Sequence, residues 1–334
     1  MKLIIPMAGM GKRMRPHTLT IPKPLIRIAG KPIVQRLVEA IVNVIGKDLD
    51  EIAFIVGDFG PEVEQTLLQI AKNAGSEGKI YYQQEALGTA HAIHCAADSL
   101  DDSVVVAFAD TLFRTNDKMD LESDGSIWVH SVEDPSAFGV VLTDNQGKVT
   151  RFVEKPKDFV SDMAIVGVYY FKNGANFKSE LQYLIDNNIM KGGEYQLTDV
   201  LQNMMNKGTK FSVYSVPEWL DCGNKNATVY TNQRILENSN GEKLIKDSVQ
   251  AVNTIIIPPC YIGENVKLSN SIIGPHVSIG EGSKLSQCII TNSIIQSNSK
   301  IENANFDNSM LGNYVDYKEK HKELNIGDFT VISQ

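Results

Sequence analysis

The chain has 334 residues, 43% of them hydrophobic and 22% charged, with a formal net charge of -8. That length predicts two domains, each able to bury a core, and the acidic balance argues against binding nucleic acid through the general field. No apolar run is long enough to span a bilayer, and the four cysteines (Cys95, Cys222, Cys260, Cys288) are scattered with no C-x-x-C pair, which argues for free thiols in a reducing compartment. The opening residues enter a strand pattern directly, without the regions of a signal peptide, so a cytoplasmic location and no membrane partner are expected.

Lys2 to Leu25 reads KLIIPMAGMGKRMRPHTLTIPKPL. A short apolar run leads into Ala8-Gly9-Met10-Gly11-Lys12-Arg13, and Pro22-Lys23-Pro24 follows. Apolar strand, glycine turn and cations in that order suit a phosphate cradle. Glycines let backbone N–H groups approach anionic oxygens. Arg13 can grip phosphate bidentately, while Lys12 and Lys23 add point charges. A Walker A loop would need glycine at Pro6 and Ser or Thr at Arg13, so that motif fails. A dinucleotide fingerprint would need glycine at Met14, so that motif is weak. A plain strand-to-helix turn with solvated cations is the dull reading.

Gly9, Gly11, Arg13 and Lys23-Pro24 fit a third pattern, G-x-G-x-R followed ten residues later by Lys-Pro. On these residues the chain resembles the nucleoside-diphosphate-sugar pyrophosphorylases, in particular the glucose-1-phosphate thymidylyltransferase type with a C-terminal extension. Lys12 stands where that family usually has Thr or Ser, and Met14 where it usually has Leu. The resemblance implies a nucleoside triphosphate held by Ala8, Gly9, Gly11, Lys12 and Arg13, with Arg13 and Lys23 among the catalytic residues.

Residues 2–5, 51–57, 79–83, 103–109 and 126–132 are predicted as strands, being rich in Ile, Val, Phe and Tyr. Between them, 33–44, 61–74 and 90–99 carry helical periodicity. Alternation of this kind predicts a mostly parallel α/β sheet with ligands beyond the carboxyl ends of its strands. At that edge Gly88-Thr89 opens a helix and offers free N–H groups. A glutamine amide nearby complements the N3–H and carbonyls of thymine or uracil. The family's base-reading glutamine lies five residues before this glycine, which implies Gln83; Gln83 or Gln84 as plain strand surface is the alternative. The strand over 103–109 ends in Asp110, a carboxylate that is costly there unless paired or holding a metal. The resemblance implies a magnesium ligand at Asp110, although Ala109 replaces the usual glycine; a turn or capping aspartate is the plain reading.

After residue 135 the pattern turns to β-rich pieces carrying Phe138-Gly139-Val140, Glu154-Lys155-Pro156 and Gly167-Val168-Tyr169. By resemblance Gly139, Glu154 and Gly167 belong to the sugar side and Lys155 holds the sugar's phosphate. Glu194-Tyr195-Gln196-Leu197-Thr198-Asp199 precedes a helix to about Lys207, with Thr198 and Asp199 as expected caps and Glu194 implied near the sugar. Trp219-Leu220-Asp221-Cys222-Gly223 matches the family's second metal motif, which implies Asp221 as the other magnesium ligand. An aspartate satisfied by turn N–H groups is the alternative there. A helix over 228–237 closes the first domain.

Asn238 to Lys246 is polar and reads as a linker. Beyond it Asn-Ser-Ile-Ile recurs, and Ile262, Leu268, Ile273, Ile279, Leu285, Ile295 and Ile301 follow a period near six. That is the hexapeptide period of a left-handed parallel β-helix. Tyr314 to Glu323 is expected to leave the coil as a charged loop, and Asn325 to Ile332 to resume it. The histidines carry less. His91 and His94 beside Cys95 lack a second ligand cluster, so no zinc site is expected; His17 is taken as structural. His276 could be an acyl-transfer base, but subunit contact or regulation is the preferred expectation.

The expected fold is therefore α/β: a Rossmann-like mixed, mostly parallel sheet forming a nucleotidyltransferase domain over 1–237, a linker over 238–248, and a short left-handed β-helix over 249–334. The expected activity joins a nucleoside triphosphate to a sugar 1-phosphate, first dTTP with glucose 1-phosphate, using Mg2+. Two substrates carrying about six negative charges must be neutralised locally inside an acidic chain. UTP or GTP, and N-acetylglucosamine or mannose phosphates, are alternatives. So is a catalytically silent regulatory subunit, although Arg13, Lys23, Asp110 and Asp221 are all present. A homo-oligomer, through the β-helix, is expected.

Overall fold

A computed structural model describes every residue except Gln146, Asn240, Lys322, Ser333 and Gln334. The parts of the expected linker and charged loop that fall on Asn240 and Lys322 therefore lie outside the described residues. Two compact units emerge, one of residues 1–26 with 31–227 and one of residues 27–30 with 228–334, so the division falls inside a helix.

The first unit is built in chain order from β1 (Lys2–Pro6), α1 (Ile33–Ile45), β2 (Glu51–Val56), α2 (Pro61–Asn73), β3 (Glu77–Tyr82), α3 (Thr89–His94) and β4 (Val104–Ala107). There follow β5 (Thr111–Arg114), β6 (Gly125–Ser131), β7 (Gly139–Thr143), β8 (Val149–Glu154), β9 (Met163–Phe171), α4 (Gly174–Asp186), α5 (Leu197–Asn206), β10 (Phe211–Ser215) and β11 (Glu218–Asp221); α6 (Lys225–Glu237) begins in this unit and runs into the second. A nine-stranded mixed sheet runs β8-β7-β9-β4-β1-β2-β3, with β6 on β9 and β10 on β6. Its β4-β1-β2-β3 part is parallel. β1 and β2 are buried on both faces, which explains their unbroken apolar runs.

The helix pattern over 33–44 appears as α1, whose Ile33, Leu37, Ile41 and Val44 are buried at three- and four-residue spacing. Pro61 sits in the first turn of α2, where its missing N–H costs nothing. Two expectations need correction. The helix over 90–99 is shorter, because after α3 the chain continues as a 3-10 turn over Ala97–Ser99. Helix α5 is not capped by Thr198 or Asp199. Its N-cap is Gln196, and the Leu197 N–H instead donates 3.0 Å to the Thr89 hydroxyl of α3. Thr198 and Asp199 lie inside the first turn, and their side chains bond elsewhere, the Thr198 hydroxyl to Glu154 and the Asp199 carboxylate to Lys191.

In the second unit short parallel strands stack into three sheets of five, four and four strands. This is a parallel β-helix, consistent with a left-handed one. Ile262, Ile279, Ile295 and Leu311 stack in register on one face, at steps of 17, 16 and 16 residues. Leu268, Leu285 and Ile301 stack on a second, and Ile256, Ile273, Ile290 and Phe306 on the third. The coil is thus shorter than three full hexapeptides: a 17-residue coil has one step of five residues, as from Leu268 to Ile273, and a 16-residue coil has two, as from Leu285 to Ile290 and on to Ile295. Asn265, Asn270, Asn292, Asn298, Asn303 and Asn308 take positive φ, the conformation that asparagine tolerates best after glycine. Ser271, Ser283, Ser293 and Ser299 are buried, and each accepts a backbone N–H from the coil above. Inside an apolar coil these bonds satisfy groups that would otherwise be costly.

The end of the chain differs from expectation. Asp316–Lys318 is not an excursion but a strand pairing with Lys300–Glu302. Its charges face outward, and Lys318 Nζ lies 3.0 Å from Glu302 Oε2. Asn325 to Ile332 does not resume the coil; no strand forms there, and Ile326, Phe329 and Val331 are exposed. Eight residues are about half of a coil of the observed length, so they cannot supply three faces.

Candidate active site

The glycine turn follows β1 at the carboxyl edge of the parallel strands. Gly11 takes φ +56, its carbonyl accepts the Thr18 hydroxyl at 2.9 Å, and Lys12–Met14 form one 3-10 turn after it. Gly9 differs. A Cβ there would meet no heavy atom within 4 Å, so the protein itself does not require a glycine. The space belongs to a cavity of about 450 Å3. Ala8, Gly9, Gly11, Lys12 and Arg13 line that cavity, as do Lys23, Gln83, Gly88, Thr89, Asp110 and Glu194 from the later motifs.

The two aspartates come together through a feature with no local signature. β5 and β11 form an antiparallel ribbon in which Asp221 stands opposite Thr111. The Cys222 N–H closes it by donating 3.0 Å to the Asp110 carbonyl. Lys23 Nζ lies 2.8 Å from Asp110 Oδ2, and Asp221 Oδ1 accepts the Gly223 N–H at 2.9 Å. Burial first, and the Asp110 charge second, push the Asp221 carboxyl above its ordinary range, against the opposing pull of Lys23, the Gly223 N–H and Arg13. Arg13 is close enough that a Cβ on Gly223 would sit 3.2 Å from its Nη2. Asp110, Asp221, Lys23 and Arg13 therefore form one electrostatic cluster beside the glycine turn.

These residues fit a magnesium ion. Two hard carboxylate donors, one raised in pKa by burial and then by the charge of the other, gain from a shared dication. Among the described residues no group of three or more His, Cys, Asp or Glu side chains gathers. A magnesium ion keeps waters and substrate phosphate oxygens in its shell, so two protein carboxylates are enough to hold it. His91 and His94 make no such cluster: His91 Nδ1 faces Gln83, and His94 Nε2 donates 2.8 Å to Gln182 Oε1.

Gln83 follows β3 and lines the cavity. Its Nε2 donates to the Gly88 carbonyl at 3.2 Å and lies 3.1 Å from His91 Nδ1. Gly88 takes φ +109, and a Cβ would sit 2.7 Å from the Tyr195 backbone nitrogen. That close approach is used: Tyr195 N–H donates to the Leu87 carbonyl at 2.8 Å, and Ala90 N–H to the Tyr195 carbonyl at 3.0 Å. The segment carrying Glu194 is thereby bound to the start of α3.

Gly139, Glu154 and Lys155 do not line the main cavity. They form a neighbouring cluster, in which the Thr198 hydroxyl donates 3.2 Å to Glu154 Oε2 and a Cβ on Gly139 would lie 3.1 Å from the same oxygen. Lys155 is exposed, 3.7 Å from Glu154 Oε1, and takes φ +43. A non-glycine residue held there stores strain, which tends to mark a working loop. Gly167 lies behind the acidic pair: its carbonyl accepts the Phe108 N–H at 3.0 Å, so it shapes the turn that presents Asp110. Glu194 Oε2 accepts Gln196 Nε2 at 3.0 Å. Sequence reasoning had not picked out His91 as a partner of Gln83, or Gly223 as the close neighbour of Arg13. Position 91, in the first turn of a helix opened by Gly88, was the available signal for the former.

The chain matches the family model described as Nucleotidyl transferase over residues 2–238. It is 32% identical over 251 residues to the low-salt glycan biosynthesis nucleotidyltransferase Agl11 of Haloferax volcanii, covering 73% of this chain and 68% of that protein. It is 31% identical to glucose-1-phosphate thymidylyltransferase of Streptomyces antibioticus, covering 79% and 73%. To the bifunctional protein GlmU of Methanocaldococcus jannaschii it is 30% identical, covering 77% of this chain but only 60% of that protein. In fold it is similar to a solved UDP-glucose pyrophosphorylase complexed with UDP-glucose, with a TM-score of 0.58 and 22% identity, covering 71% of this chain and 98% of the other. No helix among the described residues is long and apolar enough to cross a membrane. With the glycine turn and the acidic pair in one compact unit, and the family model matched over residues 2–238, the chain belongs to the nucleotidyl transferase family, as a sugar-phosphate nucleotidyltransferase.

Proposed function

We propose that the chain condenses dTTP with glucose 1-phosphate to give dTDP-glucose and pyrophosphate. A phosphate oxygen of the sugar 1-phosphate attacks the α-phosphorus, the α–β phosphoanhydride bond breaks, and pyrophosphate leaves in line. The nucleophile is already anionic, so positioning and charge neutralisation do the catalytic work. Gly9, Gly11 and Lys12 cradle the triphosphate, and Arg13 steadies the departing pyrophosphate. Lys23 and Lys155 align the incoming phosphate. Gly139, Glu154 and Glu194 serve the sugar hydroxyls, with Gly167 behind them. Gln83, Gly88 and Thr89 hold the base. Asp110 and Asp221 would hold magnesium, which when bound supplies Lewis-acid stabilisation of the phosphoryl charge.

The observation that carries this reading is the cluster of Lys23, Asp110, Asp221 and Arg13 against a glycine turn that leaves open space at Gly9. A silent subunit would have no use for both carboxylates and both cations. The thymidylyltransferase relative favours dTTP and glucose 1-phosphate. UTP or GTP with N-acetylglucosamine 1-phosphate or mannose 1-phosphate is the second reading. We further place the protein in the cytoplasm, as a homo-oligomer through the β-helix. A magnesium-dependent pyrophosphate-release screen across dTTP, UTP and GTP with glucose, N-acetylglucosamine and mannose 1-phosphates tests the activity. The fastest pair is expected to be dTTP with glucose 1-phosphate, and silence with every pair would refute catalysis.

A further inference from the structure

A primary amide can present either its oxygen or its NH2 group to a ligand, and the two faces recognise opposite bases. Both hydrogens of Gln83 Nε2 have a partner inside the protein: the Gly88 carbonyl at 3.2 Å and His91 Nδ1 at 3.1 Å. The Gly88 carbonyl can only accept, so Nε2 must face it. For the second bond His91 Nδ1 must also accept, which puts the ring proton on Nε2. His91 is held for that role by its place in α3 and by stacking on Tyr195, with ring centroids 6.4 Å apart and planes 27° apart. Burial, followed by the nearby His94, lowers its pKa in the direction of the neutral ring, against a smaller opposing pull from Glu85. With both hydrogens engaged, Oε1 is the atom that Gln83 has left to offer, and it can only accept.

We propose that His91 is a positioning residue that locks the Gln83 amide with Oε1 as its ligand face, so that the site selects bases carrying a ring N–H and rejects those with a bare ring nitrogen. Thymine and uracil at N3, and guanine at N1, carry that hydrogen. Cytosine at N3 and adenine at N1 oppose a lone pair to Oε1. The selection is thus of a substrate class, and it holds whichever of dTTP, UTP or GTP proves to be used. It rests on the reading that Gln83 meets the base.

The test uses the full chain and compares kcat and KM for dTTP with dCTP, and for GTP with ATP, at saturating sugar phosphate. His91→Phe keeps the ring stack and deletes the acceptor. It is expected to raise the KM of the preferred triphosphate about tenfold and to lower its preference over the bare-nitrogen partner about tenfold, the scale of one misdirected polar contact. The KM of the sugar phosphate stays unchanged, which a general packing defect would not allow. His91→Asn retains an acceptor and restores most of the preference. Should His91→Phe not fold, His91→Leu takes its place in the same assay. Gln83→Leu separates the two layers. If it keeps full base preference, Gln83 does not read the base and the underlying reading fails. If it loses the preference while the acceptor-deleting His91 variant keeps it, the lock is overturned.

Discussion

Lys23 Nζ lies 2.8 Å from Asp110 Oδ2, with the lysine side chain 9% exposed and the aspartate 42%. A cation from the segment after the glycine turn is thus bonded to a carboxylate that follows β4, 87 residues later in the chain. Asp110 also faces Asp221, so Lys23 offsets part of a repulsion built into the site. Lys23→Ala should leave the two carboxylates to repel and remove one contact to the incoming phosphate. A loss of about 10²–10³ in kcat is expected, the scale of one preorganised charge contact, with the fold retained. Pyrophosphate release and a circular dichroism melt, measured together, check this. Near-normal turnover in the alanine variant would remove Lys23 from the reaction.

The acidic pair predicts how the metal requirement will behave. Asp221→Asn keeps the acceptor oxygen for the Gly223 N–H but removes half of the carboxylate charge available to a dication. Turnover should fall at least about a hundredfold, on the scale of several kcal/mol for lost Lewis-acid stabilisation, and the magnesium concentration for half-maximal rate should rise. Chelation with EDTA should silence the native protein and excess magnesium restore it. Titration calorimetry of magnesium into the nucleotide-bound protein gives a readout independent of turnover. An Asp221→Asn variant with an unchanged magnesium dependence would separate that residue from the metal.

Gly9 offers a test that divides folding from binding. A methyl group there meets nothing within 4 Å and the residue does not need a left-handed φ. Gly9→Ala should therefore fold with an unchanged melting temperature. The methyl group would nevertheless stand in the space assigned to the triphosphate, so the nucleotide KM should rise about tenfold or more. Gly11→Ala is the contrast: with φ +56 and Lys23 Cβ only 3.1 Å away, it should lose stability as well. Equal melting temperatures for both variants would contradict the distinction.

The sheet, its helices and the glycine turn were legible because each is written in local periodicity: buried runs for β1 and β2, three- and four-residue spacing for α1. Asp110 and Asp221 were legible as motifs, but their meeting was not. The β5–β11 ribbon pairs four-residue strands about a hundred residues apart, and no local pattern encodes such a partner. The Thr198 hydroxyl on Glu154 is hidden for the same reason, whereas the His91 nitrogen facing Gln83 is a local contact whose only trace is the place of His91 in the first turn of α3. Read locally, Thr198 was an apparent helix cap and His91 a stray histidine. At the end of the chain, Ile326 and Ile332 keep the six-residue spacing, yet a coil needs three filled faces. Spacing alone therefore extended the β-helix too far there and ended it too early at Asp316–Lys318.

The β-helix carries the last prediction. On the sheet whose inward residues are Ile256, Ile273 and Ile290, the outward residues Ile255, Ile272 and Ile289 also stack in register. They are 61%, 36% and 49% exposed. Three isoleucines aligned on one flat face form a ladder that water does not favour. Burying one such side chain fully is worth about 1.5–3 kcal/mol, so a second copy covering the ladder would gain from all three. Ile272, at the centre, is the position to change. Ile272→Glu puts a charge in the middle of the row while leaving the inward core untouched. Sedimentation velocity should show the native protein as an oligomer at micromolar concentration and the variant shifted toward monomer, with pyrophosphate release per chain retained. If the variant sediments as the native protein does, the ladder is not the contact between copies.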